Sequence, residues 1–264
     1  MKNLLLNVSD YRAVAKRKLP RMIFDYLEGG AEDEKGLAHN RRVFERWGLL
    51  PQRLIDVSQR DMSCKLFNHT WSAPFAIAPT GLNATVRPHG DLLLARAAAA
   101  ENIPFMLSSA ANMSLEELAR RCDGEKWFQL YVVHPELAEQ LVKRALAADY
   151  TTLVVTVDIA VNGYRERDLR NQFRLPIRYR PAVMLDGCLH PRWLLRFIRQ
   201  GMPQLANFVT SESASLAVQA ALMNREMDAS FNAESLSRLR ALWPHKLLVK
   251  GILRPDDARR CIAL

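Results

Sequence analysis

The chain has 264 residues, 49% of them hydrophobic, and a formal net charge of +9, which suits one large globular domain or two small ones. Its four scattered cysteines form no C-x-x-C pair, so composition argues against a disulfide framework or a zinc site and favours a reducing compartment. Without a secretory signal after Met1 or an apolar stretch of about 18 residues, the chain is expected to be cytoplasmic and to have no spanning helix.

Three short helices are predicted first, over residues 11–17, 22–28 and about 32–44. Ser9 can cap the first helix, and Pro20 suits the start of the second. Gly29 and Gly30 are predicted to end the second helix, because glycine commonly terminates helices.

From residue 74 onward, short apolar runs alternate with helical segments. The predicted strands are 74–80, 105–108, 127–132, 152–157 and 246–250. The predicted helices are 90–101, one beginning at Ser114 with a capping box to Glu117, 135–147, about 233–242, and one opened by Pro255. A long interruption spans about 159–230. This alternation indicates a parallel sheet covered by helices on both faces.

Each of the five predicted strands ends in polar residues or glycines after an apolar run. They are Pro79, Thr80 and Gly81; Ser108 and Ser109; Gln129 and Tyr131; Thr156 and Asp158; and Lys250 and Gly251. Any one of them is equally compatible with a strand that simply ends in a polar residue. Ligands of βα folds bind at the carboxyl ends of the strands, so the set predicts one polar site there.

Several segments together resemble the FMN-dependent α-hydroxy-acid dehydrogenase family. They are DYLEGGAED at 25–33, APTG at 78–81, LSS at 107–109, FQLY at 128–131, and TVD at 156–158 followed by Arg165. Residues 185–193 and 202–208 are most similar to the mandelate dehydrogenase branch of that family. The resemblance extends over essentially the whole chain, in order and with matching spacing.

The resemblance implies an α/β fold, the (β/α)₈ TIM barrel of the glycolate-oxidase type, with only about the first five βα units present. Residues 1–264 would form one barrel domain with an inserted segment at about 177–215. The implied reaction is the oxidation of an (S)-2-hydroxy acid, mandelate-like or lactate, to the 2-oxo acid, with FMN as cofactor. A homo-oligomer is expected of the complete protein.

The resemblance also implies roles for the strand ends toward the cofactor. The backbone of Pro79, Thr80 and Gly81 would lie against the flavin ring, where a small residue permits close approach. The pyrimidine edge of the flavin would be bound by Ser108, Gln129 and Thr156. Lys250 would favour the reduced flavin electrostatically.

Four further residues are implied in binding or turning over the substrate. Tyr26 and Tyr131 would bond its carboxylate or α-oxygen, and Arg165 would help to hold the carboxylate with its guanidinium fork. Asp158 would pair with the catalytic histidine of the family. The alternatives are core tyrosines with satisfied hydroxyls, an arginine of a basic surface, and an aspartate that merely ends a strand.

Two positions depart from many members of the family. Gly81 stands where alanine is common, and Ala110 stands where an aromatic residue is common. Small residues at both positions predict space above the flavin for a bulky or aromatic 2-hydroxy acid.

The inserted segment at about 177–215 is strongly basic. Arg178, Arg180, Arg192, Arg196 and Arg199 face a single acid, Asp186. Within 192–199 the arginines share one helical face, and tryptophan, phenylalanine, leucine and isoleucine fill the other. This pattern favours a peripheral location on the inner face of the cell membrane, with a membrane quinone as acceptor. The alternative is an amphipathic helix docked on its own protein.

Nucleic acid is not expected as a partner, because the sequence contains no helix-turn-helix, zinc finger or aromatic RNA-binding platform.

In the family, the sixth strand ends in a Ser-Asn-His-Gly-Gly-Arg type motif that supplies the general base and a carboxylate-binding arginine. This sequence has no such motif, and its last histidine, His245, precedes a predicted strand. We therefore expect a C-terminally truncated chain with little or no turnover and weak FMN binding. One alternative is an inactive remnant or membrane-associated fragment. Another is a relative of isopentenyl-diphosphate isomerase or inosinate dehydrogenase, against which the Tyr26 motif and the spacing from Asp158 to Arg165 argue.

Overall fold

The computed structural model of the chain describes residues 4–161, 163–173, 181–208 and 227–264. Contacts divide the chain into two compact units. The first contains Met1–Met62 and Gly163–Arg199, and the second contains Ser63–Asn162 and Gln200–Leu264.

The secondary structure of the described residues is mostly helical. The helices are α1 Val8–Lys18, α2 Arg21–Glu28, α3 Lys35–Arg42, α4 Asn83–Val86, α5 Gly90–Ala100, α6 Leu115–Arg121, α7 Pro135–Ala147, α8 Glu166–Asn171, α9 Pro181–Leu189, α10 Pro191–Gln200, α11 Ala233–Leu242 and α12 Pro255–Ala263. Short 3-10 helices cover Val43–Arg46 and Ala206–Phe208. The strands are β1 Cys64–Leu66, β2 His69–Trp71, β3 Phe105–Ser108, β4 Lys126–Tyr131, β5 Thr152–Thr156 and β6 Lys246–Lys250.

The three predicted helices of the first unit are present, with two corrections. Asn7, not Ser9, caps α1, because its side chain accepts a hydrogen bond of 3.0 Å from the Asp10 backbone. The third helix begins only at Lys35, since Glu32 and Glu34 adopt positive φ angles of 49° and 58° that no α-helix accommodates. The predicted second helix agrees with α2 to one residue and ends at Gly29 as expected.

The second unit contains a four-stranded sheet in the order β3-β4-β5-β6, with all strands parallel. The predicted bounds of β3 and β6 match, β4 begins and ends one residue earlier, and β5 is one residue shorter. Apolar strands that alternate with helices therefore form a parallel α/β sheet, as predicted. An antiparallel hairpin of β1 and β2, which the sequence analysis did not predict, precedes the sheet. The prediction that helices cover both faces is wrong at the start of the strands, where Trp71 of the hairpin packs on one face.

The predicted strand over 74–80 is not formed. Only Ile77 bridges to Phe105, and Phe75 is exposed rather than buried. Pro74 and Pro79 explain this result, because proline has no backbone N–H to donate to a neighbouring strand.

Residues alternate between the two faces of the sheet. Leu107, Phe128, Leu130, Leu153 and Val155 lie on one face and are completely buried. That face is covered by helices, among which α5 contacts β3 and α7 contacts β4.

The opposite face of the sheet is divided along the strands. Trp127 and Val154 pack with Trp71 of the hairpin in an apolar cluster. Gln129 and Thr156, two residues further along the same strands, lie on the same face at the carboxyl edge. This face therefore changes from apolar to polar toward the edge where ligands of parallel sheets bind.

Candidate active site

A chain of hydrogen bonds crosses the carboxyl edge of the sheet. The Ser108 hydroxyl donates to Oε1 of Gln129 at 2.8 Å, and Nε2 of Gln129 donates to the Thr156 hydroxyl at 3.0 Å. All three side chains are buried. The strand register places them on adjacent strands, so three of the predicted cofactor-binding residues are brought together.

Lys250 and Asp158 meet at the end of the same row. Nζ of Lys250 lies 3.1 Å from Oδ2 of Asp158, and the two side chains are 41% and 37% exposed. Gly251, in a positive φ of 110°, makes this approach possible, because a Cβ there would lie 2.4 Å from Cβ of Asp158. Lys250 and Asp158 are predicted to have separate roles, and the sequence gives no indication that they pair with each other.

Two loops at this edge contain the residues predicted to face the flavin ring and the substrate. The backbone N–H of Leu82 donates to the Ala110 carbonyl at 3.2 Å. A Cβ on Gly81 would lie 3.1 Å from Cβ of Ala110. Pro79 and Thr80 precede this contact, and Thr80 donates to Oδ1 of Asn83 at 3.0 Å. The two small residues singled out in the sequence are therefore direct neighbours.

Tyr131 follows this row at the end of β4. Its backbone N–H donates to the Ser109 hydroxyl at 3.1 Å, and its side chain is partly exposed. The Ser109 N–H in turn donates to the carbonyl of Gln129 at 2.8 Å, which fixes the two strand ends to each other.

Tyr26 and Arg165 lie together in the first unit. Nη2 of Arg165 donates to the Tyr26 carbonyl at 2.5 Å, and the guanidinium lies over the Tyr26 ring at 5.3 Å from its centroid. Nε of Arg165 is 2.7 Å from a carboxylate oxygen of Asp168. Phe173 packs against the Tyr26 ring, with its ring centroid 4.6 Å from that of Tyr26. Arg165 is thus held in place by an aromatic ring, a carbonyl and a carboxylate.

Asn207 is completely buried, and no sequence pattern predicts its hydrogen bonds. Its Oδ1 accepts from the backbone of Leu115 at 2.8 Å, and its Nδ2 donates to the carbonyls of Ser108 and Ser109 at 3.4 Å and 3.3 Å. Asn207 belongs to the segment 202–208 that the family resemblance quoted, but a single asparagine after a long interruption gives no signal of this contact.

Two groups near Asn207 titrate outside their ordinary range. Hydrogen bonds from Arg144, at 2.7 Å and 3.0 Å, lower the pKa of Glu116. Burial strongly raises the pKa of Tyr150, whose hydroxyl donates to the Leu115 carbonyl at 3.0 Å. Both side chains stabilise the region that Asn207 joins to the end of β3.

Helix α10 contains the predicted amphipathic segment, and its apolar side chains are partly uncovered, with Trp193, Leu194 and Phe197 half-buried. Leu195 and Ile198 are 51% and 66% exposed, and the rings of Trp193 and Phe197 stack at 4.9 Å. Arg178 and Arg180 of the same predicted insert lie outside the described residues. So do the positions from 209 to the end of the insert near 215. Among the described residues, no helix combines the length and apolarity that crossing a membrane requires.

Comparison with known proteins gives one consistent family. Residues 15–264 match the family described as FMN-dependent dehydrogenase. (S)-Mandelate dehydrogenase of Pseudomonas putida is 61% identical over 259 residues, covering 98% of this chain and 66% of that enzyme. Glycolate oxidase 1 of Oryza sativa subsp. indica is 36% identical over 259 residues, covering 98% of this chain and 65% of that enzyme.

A solved structure agrees with these relatives. The crystal structure of (S)-mandelate dehydrogenase, described as a monotopic membrane protein, is 61% identical and has a TM-score of 0.94. The match covers 98% of this chain and 69% of the solved one. The chain thus spans slightly less than two thirds of the length of the two curated relatives.

Proposed function

Because this chain belongs to the FMN-dependent dehydrogenase family, we propose that it serves the FMN-dependent oxidation of an (S)-2-hydroxy acid to the 2-oxo acid. Mandelate is the proposed substrate and lactate the second candidate. The single observation that supports this most strongly is the buried row of Ser108, Gln129 and Thr156 beside Lys250 at the carboxyl edge of the sheet.

The residues at this edge fit an FMN ring. The pyrimidine edge of a flavin presents both donors and acceptors, and a carboxamide flanked by two hydroxyls can satisfy both kinds of group. The hydrogen bonds to Ser108 and Thr156 fix which way the Gln129 amide faces. Gly81 keeps the backbone of the neighbouring loop open to close approach by a flat ring.

When bound, FMN supplies the two-electron oxidant of the proposed reaction. Lys250 contributes a positive charge that favours negative charge on a reduced ring, and Asp158 orients that ammonium group through their ion pair. We propose Tyr131 as a hydroxyl donor to the substrate at the same edge.

For the first unit, we propose that Arg165 and Tyr26 bind the carboxylate of the hydroxy acid. The ion pair with Asp168 and the contact with the Tyr26 ring pre-orient the guanidinium, so little side-chain entropy remains to be lost on binding an anion. We assign no general base within these 264 residues; His245 directly precedes β6, at the opposite edge from the polar row.

We also propose that the sheet β3-β4-β5-β6 corresponds to successive strands of an eight-stranded barrel, and that α10 lies in a membrane interface. The exposed Leu195 and Ile198 of α10, its arginines, and the monotopic character of the solved relative support the membrane assignment. A quinone dissolved in that membrane is the proposed electron acceptor.

No general base is assigned within these 264 residues, so the 264 residues by themselves are expected to show little or no turnover. The test therefore uses the protein as the cells that make it produce it. Anaerobic addition of (S)-mandelate is expected to bleach the visible absorbance of the bound flavin, and (R)-mandelate is expected to leave it unchanged. Protein without extractable FMN, or flavin that no 2-hydroxy acid reduces, would refute the proposal. A faster reduction by lactate would keep the reaction and replace the preferred substrate.

A further inference from the structure

Asp91 is a buried carboxylate that the proposed reaction does not use. It lies in the first turn of α5 and is 2% exposed. Burial raises its pKa, while hydrogen bonds from Asn83, Asn112 and Met113 act in the opposite direction. Burying a carboxylate is costly unless hydrogen bonds compensate, and this carboxylate accepts three of them. We therefore expect Asp91 to have a structural role.

The donors to Asp91 come from two different loops. Nδ2 of Asn83 donates to Oδ1 of Asp91 at 2.7 Å, and the backbone N–H of Asn112 donates to Oδ2 at 3.0 Å. One loop leads from Thr80 and Gly81 into α4, and the other follows β3 through Ala110. Each carboxylate oxygen therefore holds one loop.

Asn83 and Asn112 also bind the loop residues that are predicted to face the site. Asn83 also donates to the Thr80 carbonyl at 3.1 Å and accepts from its hydroxyl at 3.0 Å. Asn112 accepts from the Ala84 N–H at 2.9 Å, which ties the second loop back to the first. Gly90 permits this packing, because a Cβ there would lie 2.9 Å from Cβ of Asn83.

We propose that Asp91 is a positioning residue that fixes the distance between Gly81 and Ala110, and with it the size of the hydroxy-acid side chain that the site accepts. This inference rests on the proposed function for its substrate class. All residues of this hydrogen-bond network belong to one unit of the chain. Asp91 touches neither Gly81 nor Ala110; it acts through Asn83 and Asn112.

Hydrogen exchange of the chain tests the network directly. Asp91→Asn preserves the size of the side chain but places an amide group opposite N–H donors, so at least one of the three hydrogen bonds is lost. We expect amide exchange over 82–86 and 110–113 to accelerate about tenfold or more, with β4 and β5 unchanged. The control, Glu101→Gln, removes the same charge from an exposed position directly after α5 and is expected to match the unaltered chain.

Two results would overturn the network. Unchanged exchange in both loops would show that Asp91 does not hold them. Equal acceleration throughout the sheet would show that the substitution lowers the stability of the whole unit and positions nothing.

A second measurement tests the effect on substrate size. In the flavin-loaded protein, Asp91→Asn is expected to lower the ratio of kcat/KM for mandelate to that for lactate at least severalfold, whereas Glu101→Gln leaves the ratio unchanged. A constant ratio with loosened loops would overturn the specificity claim. If the unaltered protein oxidises neither acid, the proposed function fails instead, and hydrogen exchange still decides whether Asp91 positions the loops.

Discussion

At Gly251 the backbone φ of 110° lies in a region that residues with a side chain rarely adopt, and a Cβ would lie 2.4 Å from Cβ of Asp158. Gly251→Ala therefore combines an unfavourable backbone angle with a clash against a neighbouring side chain. We expect the free energy of unfolding to fall by about 2–4 kcal/mol, measured as a lower urea midpoint at unchanged slope.

Gly36→Ala provides the matched control. Gly36 lies within α3, and no atom lies within 4 Å of a Cβ placed on it. Alanine there should leave stability unchanged or raise it by about 0.5–1 kcal/mol, because glycine is unfavourable inside a helix. Equal effects of the two substitutions would mean that the fit of Gly251 against Asp158 contributes nothing.

Lys250 gives the second prediction at the scale of single residues. Lys250→Gln removes the positive charge at the polar row and leaves Asp158 without its partner at 3.1 Å. We expect the Kd of added FMN, followed by quenching of flavin fluorescence, to rise about tenfold or more.

Lys246→Gln makes the same change of charge at the other end of the same strand, where the lysine donates to the Phe67 carbonyl at 2.7 Å. The FMN affinity of this variant should remain that of the unaltered chain. A similar loss of FMN affinity in both variants would mean that Lys250 acts only through the net charge of the unit and not through its position.

Sequence reasoning identified residues at strand ends better than the residues that hold them. Ser108, Gln129 and Thr156 lie toward the carboxyl ends of apolar strands, so a parallel sheet necessarily brings them to one edge. Asp91 and Asn207 stand 21 and 92 positions from the backbone groups that they bind in Asn112 and Leu115. No periodicity connects positions so far apart. The family motifs do not include Asp91, and they include Asn207 without indicating its contacts.

At the scale of helices and strands, prediction succeeded where local signals were strong. Short apolar runs predicted β5 and β6, and prolines at the first turn predicted the starts of α7 and α12. It failed for 74–80, where an apolar run contains two prolines, and at the hairpin of β1 and β2, whose strands have only three residues each. Apolar content alone does not specify a strand when backbone donors are missing.

The contact between α6 and α7 leads to a prediction about pH. Arg144 binds both carboxylate oxygens of Glu116, and this lowers the pKa of that acid. A lowered folded-state pKa means that the stabilisation is present above the ordinary titration range of glutamate and is lost as the pH falls through the lower folded-state pKa. Glu116→Gln should therefore cost about 1 kcal/mol at neutral pH, a value kept small because the carboxylate is 36% exposed.

The measurement compares urea midpoints across pH. The difference between the unaltered chain and Glu116→Gln should begin to shrink below about pH 4.3 and vanish at lower pH. Glu117→Gln is the control, because the Glu117 carboxylate pairs with Arg121 of its own helix at 2.7 Å and such pairs contribute a few tenths of a kcal/mol. A stability difference for Glu116→Gln that is independent of pH would contradict the assignment.

At the scale of the whole molecule, the net charge of +9 and the basic face of α10 offer two explanations for binding to an acidic lipid surface. A general attraction depends only on how many charges the protein has, whereas an interfacial helix depends on where they are. The exposed Leu195 and Ile198 beside the arginines favour the second explanation.

Two triple variants separate these explanations, since each removes three positive charges. Replacing Arg192, Arg196 and Arg199 by glutamine should weaken binding to anionic vesicles about 100-fold at low salt, at roughly fivefold per arginine near the surface. Replacing Arg238, Arg254 and Arg259, which are 66%, 75% and 76% exposed elsewhere on the chain, should have a much smaller effect. Cosedimentation with vesicles measures both. Equal losses would mean that α10 is not the contact and that net charge alone attracts the protein.

A double variant, Leu195→Ser with Ile198→Ser, tests the apolar contribution of α10. Weaker binding of this variant to neutral vesicles, together with the larger loss from the α10 arginines, requires a helix that enters the interface with its apolar side chains.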